Sequence, residues 1–257
     1  MTSREGSIWQ EGRNWAVFLL PFIVYMLVGS LEPTSAAQPG GKIIGLAIPY
    51  DSYPWVYLGK IILTVAAIVV VSSGYKVFPL RLTWGALAFG ILGGLVWIGF
   101  CRLDLEHKLF LPALQRIGLS NLIEAGKRAA YNPFEHLAAQ PALAWSFVVL
   151  RFFGLVVIVP LIEEFFLRGF LMRFVVRQDW WNLPFGTVNK AALFFGTFVP
   201  MLMHPGELIA AAVWFSLISR LMVRTRNIWD CVAAHALTNL ILGLYVVLWG
   251  GEAWRLL

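Results

Sequence analysis

Long apolar runs separated by short polar connections organise this chain, and the run lengths set its class. The runs occupy about residues 15–30, 55–74, 82–101, 143–176, 188–203, 207–223 and 228–249. A bilayer crossing needs about 20 residues of helix, and several runs reach that length. The expected fold is all-α: a polytopic transmembrane helical bundle of seven or eight spans. The fourth run leaves the count open, because as one helix it would be ~50 Å long. It reads as one long tilted helix kinked at Pro160, or as two helices. Residues 102–142 form the one substantial polar region. Within them, Leu109 to Ala130 carries apolar residues at roughly helical spacing. That segment reads either as a helix along the membrane surface or as a solvated connection. Repeats and low-complexity tracts are absent.

Composition supports the same class. Of 257 residues, 59% are hydrophobic and 13% charged, against roughly 25% charged in a typical soluble domain. Several of the twelve tryptophans fall near expected span ends, where indole rings favour the headgroup boundary: Trp15, Trp55, Trp180, Trp181, Trp229 and Trp249. The net charge of +6 comes from basic residues in the short connections, so it reports topology rather than a nucleic-acid partner. With seven spans, Arg4/Arg13, Lys76/Arg81, Arg173/Arg177 and Arg220/Arg224/Arg226 all fall on the cytoplasmic side, and the loop after the first span carries only Lys42. One loop runs against the rule. Arg102, Lys108, Arg116, Lys127 and Arg128 fall outside, accompanied by Asp104, Glu106, Glu124 and Glu135. Cys101 and Cys231 lie in or beside apolar runs without metal spacing and read as small buried residues. The first run lacks a convincing cleavage site before Glu32-Pro33 and reads as a retained span.

Ionisable groups inside a span cost ~2.5–3.5 kcal/mol each, so each needs a reason. Lys60 and Arg151 lie near span ends and are expected to snorkel to the interface. Asp230 follows Arg226 by four residues and is expected to pair with it. Glu163 and Glu164 are harder to dismiss. Adjacent helical positions point ~100° apart, so Glu164 can pair with Arg168 while Glu163 faces another way. Such a carboxylate suits proton transfer; a structural ion-pair network is the alternative. His204 ends the next run, and His235 and Asn239, four apart, share a face of the last one. Counting inward from the expected cytoplasmic ends at 1.5 Å per residue, Glu163 lies ~21 Å deep, His204 ~24 Å, Asn239 ~18 Å and His235 ~12 Å. Groups spread over about two helical turns in this way read as one site. The His-Glu-x-x-His zinc signature is missing. Glu with two His still allows a metal. The metal-free alternative has Glu163 and His204 activate a water while His235 and Asn239 bind an oxyanion.

These residues resemble the CPBP family of membrane proteases, which includes the CAAX prenyl endopeptidases. The family pattern is Glu-Glu-x-x-x-Arg, Phe-x-x-x-His and His-x-x-x-Asn on successive core helices. It falls here on Glu163, Glu164 and Arg168, on His204, and on His235 with Asn239. The resemblance covers about residues 145–250 and divides the chain into N-terminal spans with the polar loop (1–142), a catalytic core (143–250) and a tail (251–257). Pro21 to Met26, Leu31-Glu32-Pro33 and His235 to Tyr245 further resemble the CAAX-protease-related proteins of bacterial exosortase systems. What this implies is a metal-independent, cofactor-free glutamic endopeptidase of the bacterial inner membrane. Its partners would be a protein or peptide substrate, membrane lipid and an exosortase-type sorting system. By the resemblance Glu163 and His204 polarise the water, His235 and Asn239 stabilise the oxyanion, and Glu164 with Arg168 braces the site. In one departure, Pro200 stands where the family has Phe, and with Pro205 it brackets His204. A non-catalytic scaffold of the same fold and a proton-coupled transporter are the rival readings.

Overall fold

The computed structural model describes residues 2–33, 48–106, 108, 111–118 and 131–256. Lys42, Glu124, Lys127, Arg128 and most of segment 109–130 lie outside these residues. The helices are α1 (Thr2–Gly29), α2 (Tyr53–Val71), α3 (Trp84–Leu103), α4 (Leu111–Arg116), α5 (Pro133–His136), α6 (Pro141–Val176), α7 (Lys190–Leu202), α8 (Leu208–Thr225) and α9 (Ile228–Trp249). Among the described residues every regular element is helical. Five segments are long and apolar enough to cross a membrane: Tyr50–Val77, Trp84–Leu103, Pro141–Val176, Leu208–Thr225 and Ile228–Trp249. Trp15–Gly29 and Lys190–Leu202 are shorter apolar helices. The fourth apolar run is one continuous helix of 36 residues.

α6 runs through the centre, packing on α1 and α2 on one side and on α7 and α9 on the other. α3 lies along α9 and α8. Local signals fix where several helices begin. The side chain of Asn189 caps α7 by accepting from Ala192 N at 2.7 Å. Asn227 caps α9 through Trp229 N at 3.1 Å, as short polar side chains do at helix starts. Its amide also donates to Arg81 O at 2.7 Å, joining the start of α9 to the turn before α3. At the far end Arg102 donates to the Tyr245 hydroxyl at 3.1 Å, so α3 and α9 run parallel. Glu106 is buried and accepts from Ile209 N at 3.0 Å at the first turn of α8. Charges of the polar loop thus serve to tie helix ends together.

Several expectations are corrected. Lys60 and Arg151 do not snorkel; they are 4% and 5% exposed. The turn after α1 brings Glu32 back onto Lys60 as an ion pair, and the ammonium lies 4.2 Å from the Tyr25 ring centroid. Arg151 packs over Tyr53, Tyr57 and Phe147 instead. Asp230 does not pair with Arg226. Arg226 has φ of 50° and precedes the first turn of α9, so the i,i+4 relation does not exist. Asp230 accepts from Thr83 N at 2.8 Å and from the Thr83 hydroxyl at 3.0 Å, just before α3. Trp180, just past the end of α6, is fully buried, packed against Phe18 and Phe170. Arg173 is buried too, donating to the carbonyls of Gly169, Trp181 and Leu183.

Candidate active site

The site is built on an irregular stretch of α6. Val159–Glu164 is α-helical, but π-helical turns precede it (Gly154–Ile158) and follow it (Phe165–Leu171). A π turn hands each carbonyl to the amide five residues on, as Val159 N does to Gly154 O. In that register the next carbonyl, Leu155, faces position 160, which is a proline without an N–H. Asn239 on α9 supplies the donor: its Nδ2 lies 2.8 Å from Leu155 O. Leu155, Pro160 and Asn239 therefore form one unit. It fixes α9 against α6 one turn along α9 from His235, the partner of Glu164. The Asn239 amide keeps a second hydrogen for another acceptor.

Glu164 is the hub. It is fully buried, and its Oε1 accepts from His235 Nδ1 at 2.9 Å. Arg168 Nη1 lies 3.3 Å from the same oxygen and 3.2 Å from Oε2. Arg168 is equally buried and donates through Nη2 to the Phe215 carbonyl at 3.3 Å. One carboxylate thus joins α6 to α9, and its guanidinium joins both to α8. A carboxylate on Nδ1 fixes the orientation of the imidazole and assigns Nε2 to any chemistry. Glu163 is 6% exposed and neighbours this hub, directed ~100° away round the helix.

The His235 ring packs on Trp214, centroids 4.6 Å apart. Trp214 is pinned in turn: its indole N–H donates to Thr238 Oγ1 at 3.0 Å, and that hydroxyl donates to Gly90 O at 2.9 Å. α3 comes this close because Gly90 and Gly93 face α9 and Trp214. A Cβ on Gly93 would collide with the indole nitrogen, and one on Gly90 would sit 2.9 Å from Ala234 O. Small residues permit such approaches between membrane helices.

His204 lies just beyond α7, which ends at Leu202 between Pro200 and Pro205. Its Nδ1 is 2.8 Å from Pro200 O. A carbonyl can only accept, so Nδ1 carries a proton; in the neutral ring Nε2 then holds the lone pair. The ring is flanked by Trp97 at 5.4 Å and Phe215 at 5.5 Å. The Phe215 ring neighbours both His204 and His235, and Trp214 packs on His235. The structure therefore joins Glu164, Arg168 and His235 directly, ties Asn239 to the helix that carries Glu164 and Arg168, and sets the His204 and His235 rings near the same Phe215 ring. Among the described residues no three His, Cys, Asp or Glu side chains group to hold a metal ion.

Sequence reading missed the Glu164–His235 bond, Trp214, Thr238 and Phe215. The glycines of α3 were a visible signal for close packing there; Trp214 gave none, being one aromatic residue within an apolar run. No curated protein and no solved structure matches the chain. Residues 144–241 match the family model described as Type II CAAX prenyl endopeptidase Rce1-like, a protease family, and this segment contains Glu163, Glu164, Arg168, His204, His235 and Asn239.

Proposed function

We propose that this chain is an intramembrane endopeptidase that hydrolyses a peptide bond with a water activated by Glu163 and His204. The observation that carries this reading is the buried Glu164–Arg168–His235 cluster with a second carboxylate, Glu163, beside it. In the proposed reaction Glu163 takes a proton from the water while His204 Nε2 accepts its hydrogen bond. The hydroxide oxygen bonds to the scissile carbonyl carbon, whose oxygen takes the negative charge. His235 Nε2–H and the second amide hydrogen of Asn239 stabilise that oxyanion. The C–N bond then breaks, and Glu163 returns its proton to the leaving nitrogen.

The Glu164 carboxylate offsets the buried Arg168 charge and holds His235 through Nδ1, which leaves Nε2 as the ring nitrogen for chemistry. Buried charges are tolerated when compensated in this way. The two shorter apolar helices, α1 from Trp15 and α7, complete seven spans in this reading. They put Arg81 and Arg226 on the cytoplasmic side and the site within the bilayer. A substrate handled in an exosortase-type sorting system of the bacterial inner membrane belongs to the same proposal, on the resemblance of the N-terminal and closing stretches.

The test compares membrane and exported proteomes from cells carrying the wild-type protein or Glu163→Ala at equal membrane levels. Uncleaved precursors should accumulate only with the variant. Identical cleavage patterns, or full complementation of a deletion by the variant, would replace this reading with a scaffold.

A further inference from the structure

Outside the candidate site, a groove of about 770 Å³ runs between α7 and α8. Its walls are Leu193, Phe194, Phe198, Met201 and Val223, with Thr197, Ser216 and Ser219 between them and Arg220 at one end. The Thr197–Ser216 hydrogen bond, 3.3 Å, sets the register of the two antiparallel helices. Leu193 is therefore level with Arg220, and Met201 lies at the opposite end, where its carbonyl accepts from His204 N. From Leu193 to Met201 the groove follows α7 for ~12 Å. Phe194 and Leu193 are among the exposed apolar residues, so this face meets hydrocarbon.

We propose that this groove holds one hydrocarbon chain of an anionic membrane lipid, with the lipid's phosphate on Arg220. Three observations carry it. The lining is apolar, and each hydroxyl is already engaged: Ser216 with Ala212 O at 2.7 Å, Ser219 with Phe215 O at 2.8 Å, and Thr197 with Ser216. Such walls suit a guest without hydrogen-bonding groups, whereas a peptide backbone would need partners they do not offer. Charge is complementary at one end only. Arg220 is exposed, Lys190 and Arg224 are exposed nearby on the same helix pair, and among the described residues no carboxylate pairs with Arg220. Basic residues between spans at this level attract anionic headgroups, and a long guanidinium side chain reaches the phosphate plane. The size, finally, falls in the range of small-molecule sites, 300–1,000 Å³ or so.

The groove wall also touches the candidate site, because Ser219 and Arg168 donate to the same Phe215 carbonyl. Binding is nonetheless read without any proteolysis. The full-length protein is reconstituted in phosphatidylcholine vesicles doped with phosphatidylglycerol or phosphatidylcholine carrying a photoreactive group on one acyl chain, and adducts are mapped by peptide mass spectrometry. Phosphatidylglycerol should label Leu193–Met201 and Ser216–Val223 about five-fold above phosphatidylcholine, the effect of one basic residue at an anionic surface. Arg220→Gln should bring the two lipids to the same level, and Ser216→Trp, which fills the groove, should remove both. Equal labelling by the two lipids in the wild type, or adducts spread evenly over all lipid-facing helices, would overturn the proposal. So would displacement of the label by a lipid-modified peptide but not by excess phosphatidylglycerol, which would make the occupant a substrate tail.

Discussion

Glu164 binds His235 at 2.9 Å across the α6–α9 interface while holding Arg168 four residues along its own helix. Both pairings depend on one carboxylate with no exposed surface. Glu164→Gln keeps the shape but strands the Arg168 charge in the core, and an uncompensated buried charge costs about 3–5 kcal/mol. The expected result is a loss of that order in chemical unfolding followed in detergent micelles. Removing both charges with Glu164→Gln plus Arg168→Met should recover much of it, since a neutral pair carries no such penalty. If the double variant is no more stable than the single one, Glu164 is not the counter-ion of Arg168.

The Leu155 carbonyl gives a sharper test, because its donor is replaceable. Asn239→Ala leaves the carbonyl without the amide that reaches it, at a cost of about 1–3 kcal/mol. Pro160→Ala restores a backbone N–H at the position the π register addresses. In a double-mutant cycle the Asn239→Ala cost should therefore be smaller in the Pro160→Ala background, by about 1 kcal/mol. Strict additivity would mean that the proline and the asparagine do not serve the same carbonyl.

In the proposed reaction, water activation by Glu163 and His204 requires no Lewis acid. Cleavage of a peptide substrate by the reconstituted protein should keep its rate after exhaustive chelation. Adding zinc should not rescue Glu163→Ala. Activity that falls with chelation and returns with a divalent cation would assign the carboxylate and histidines to a metal instead.

The helical membrane architecture was legible because hydrocarbon imposes it: apolar runs of span length leave no other solution for the backbone. The residue types of the site were legible for the same reason, since Glu163, Glu164, Arg168 and His235 interrupt such runs. Their contacts were not. His235 meets Glu164 across 71 positions of sequence, and that meeting depends on the rotation of α6, which the π turns reset. Local rules failed where an element began or folded back unexpectedly. Asp230 missed Arg226 because α9 starts after the arginine. Lys60 stayed buried because Glu32, only a few residues past α1, returned to neutralise it.

Trp214 has no charge and lies outside every motif, yet it sets the plane on which His235 rests. Its indole N–H is held by Thr238, whose hydroxyl is held by Gly90. Trp214→Phe keeps an aromatic surface under the imidazole but removes the donor, leaving the ring free to turn. If Trp214 positions His235, kcat should fall about ten-fold or more with KM nearly unchanged, because an oxyanion donor acts only in the transition state. Thr238→Ser retains the hydroxyl and should keep most activity, whereas Thr238→Val should resemble Trp214→Phe. Gly93→Ala should act differently again: a methyl there strikes the indole itself, and overpacking of a tight core costs about 1–3 kcal/mol. Loss of stability in Gly93→Ala with unaltered stability in Trp214→Phe would separate packing from positioning. A Trp214→Phe variant with wild-type kcat would leave the indole as packing alone.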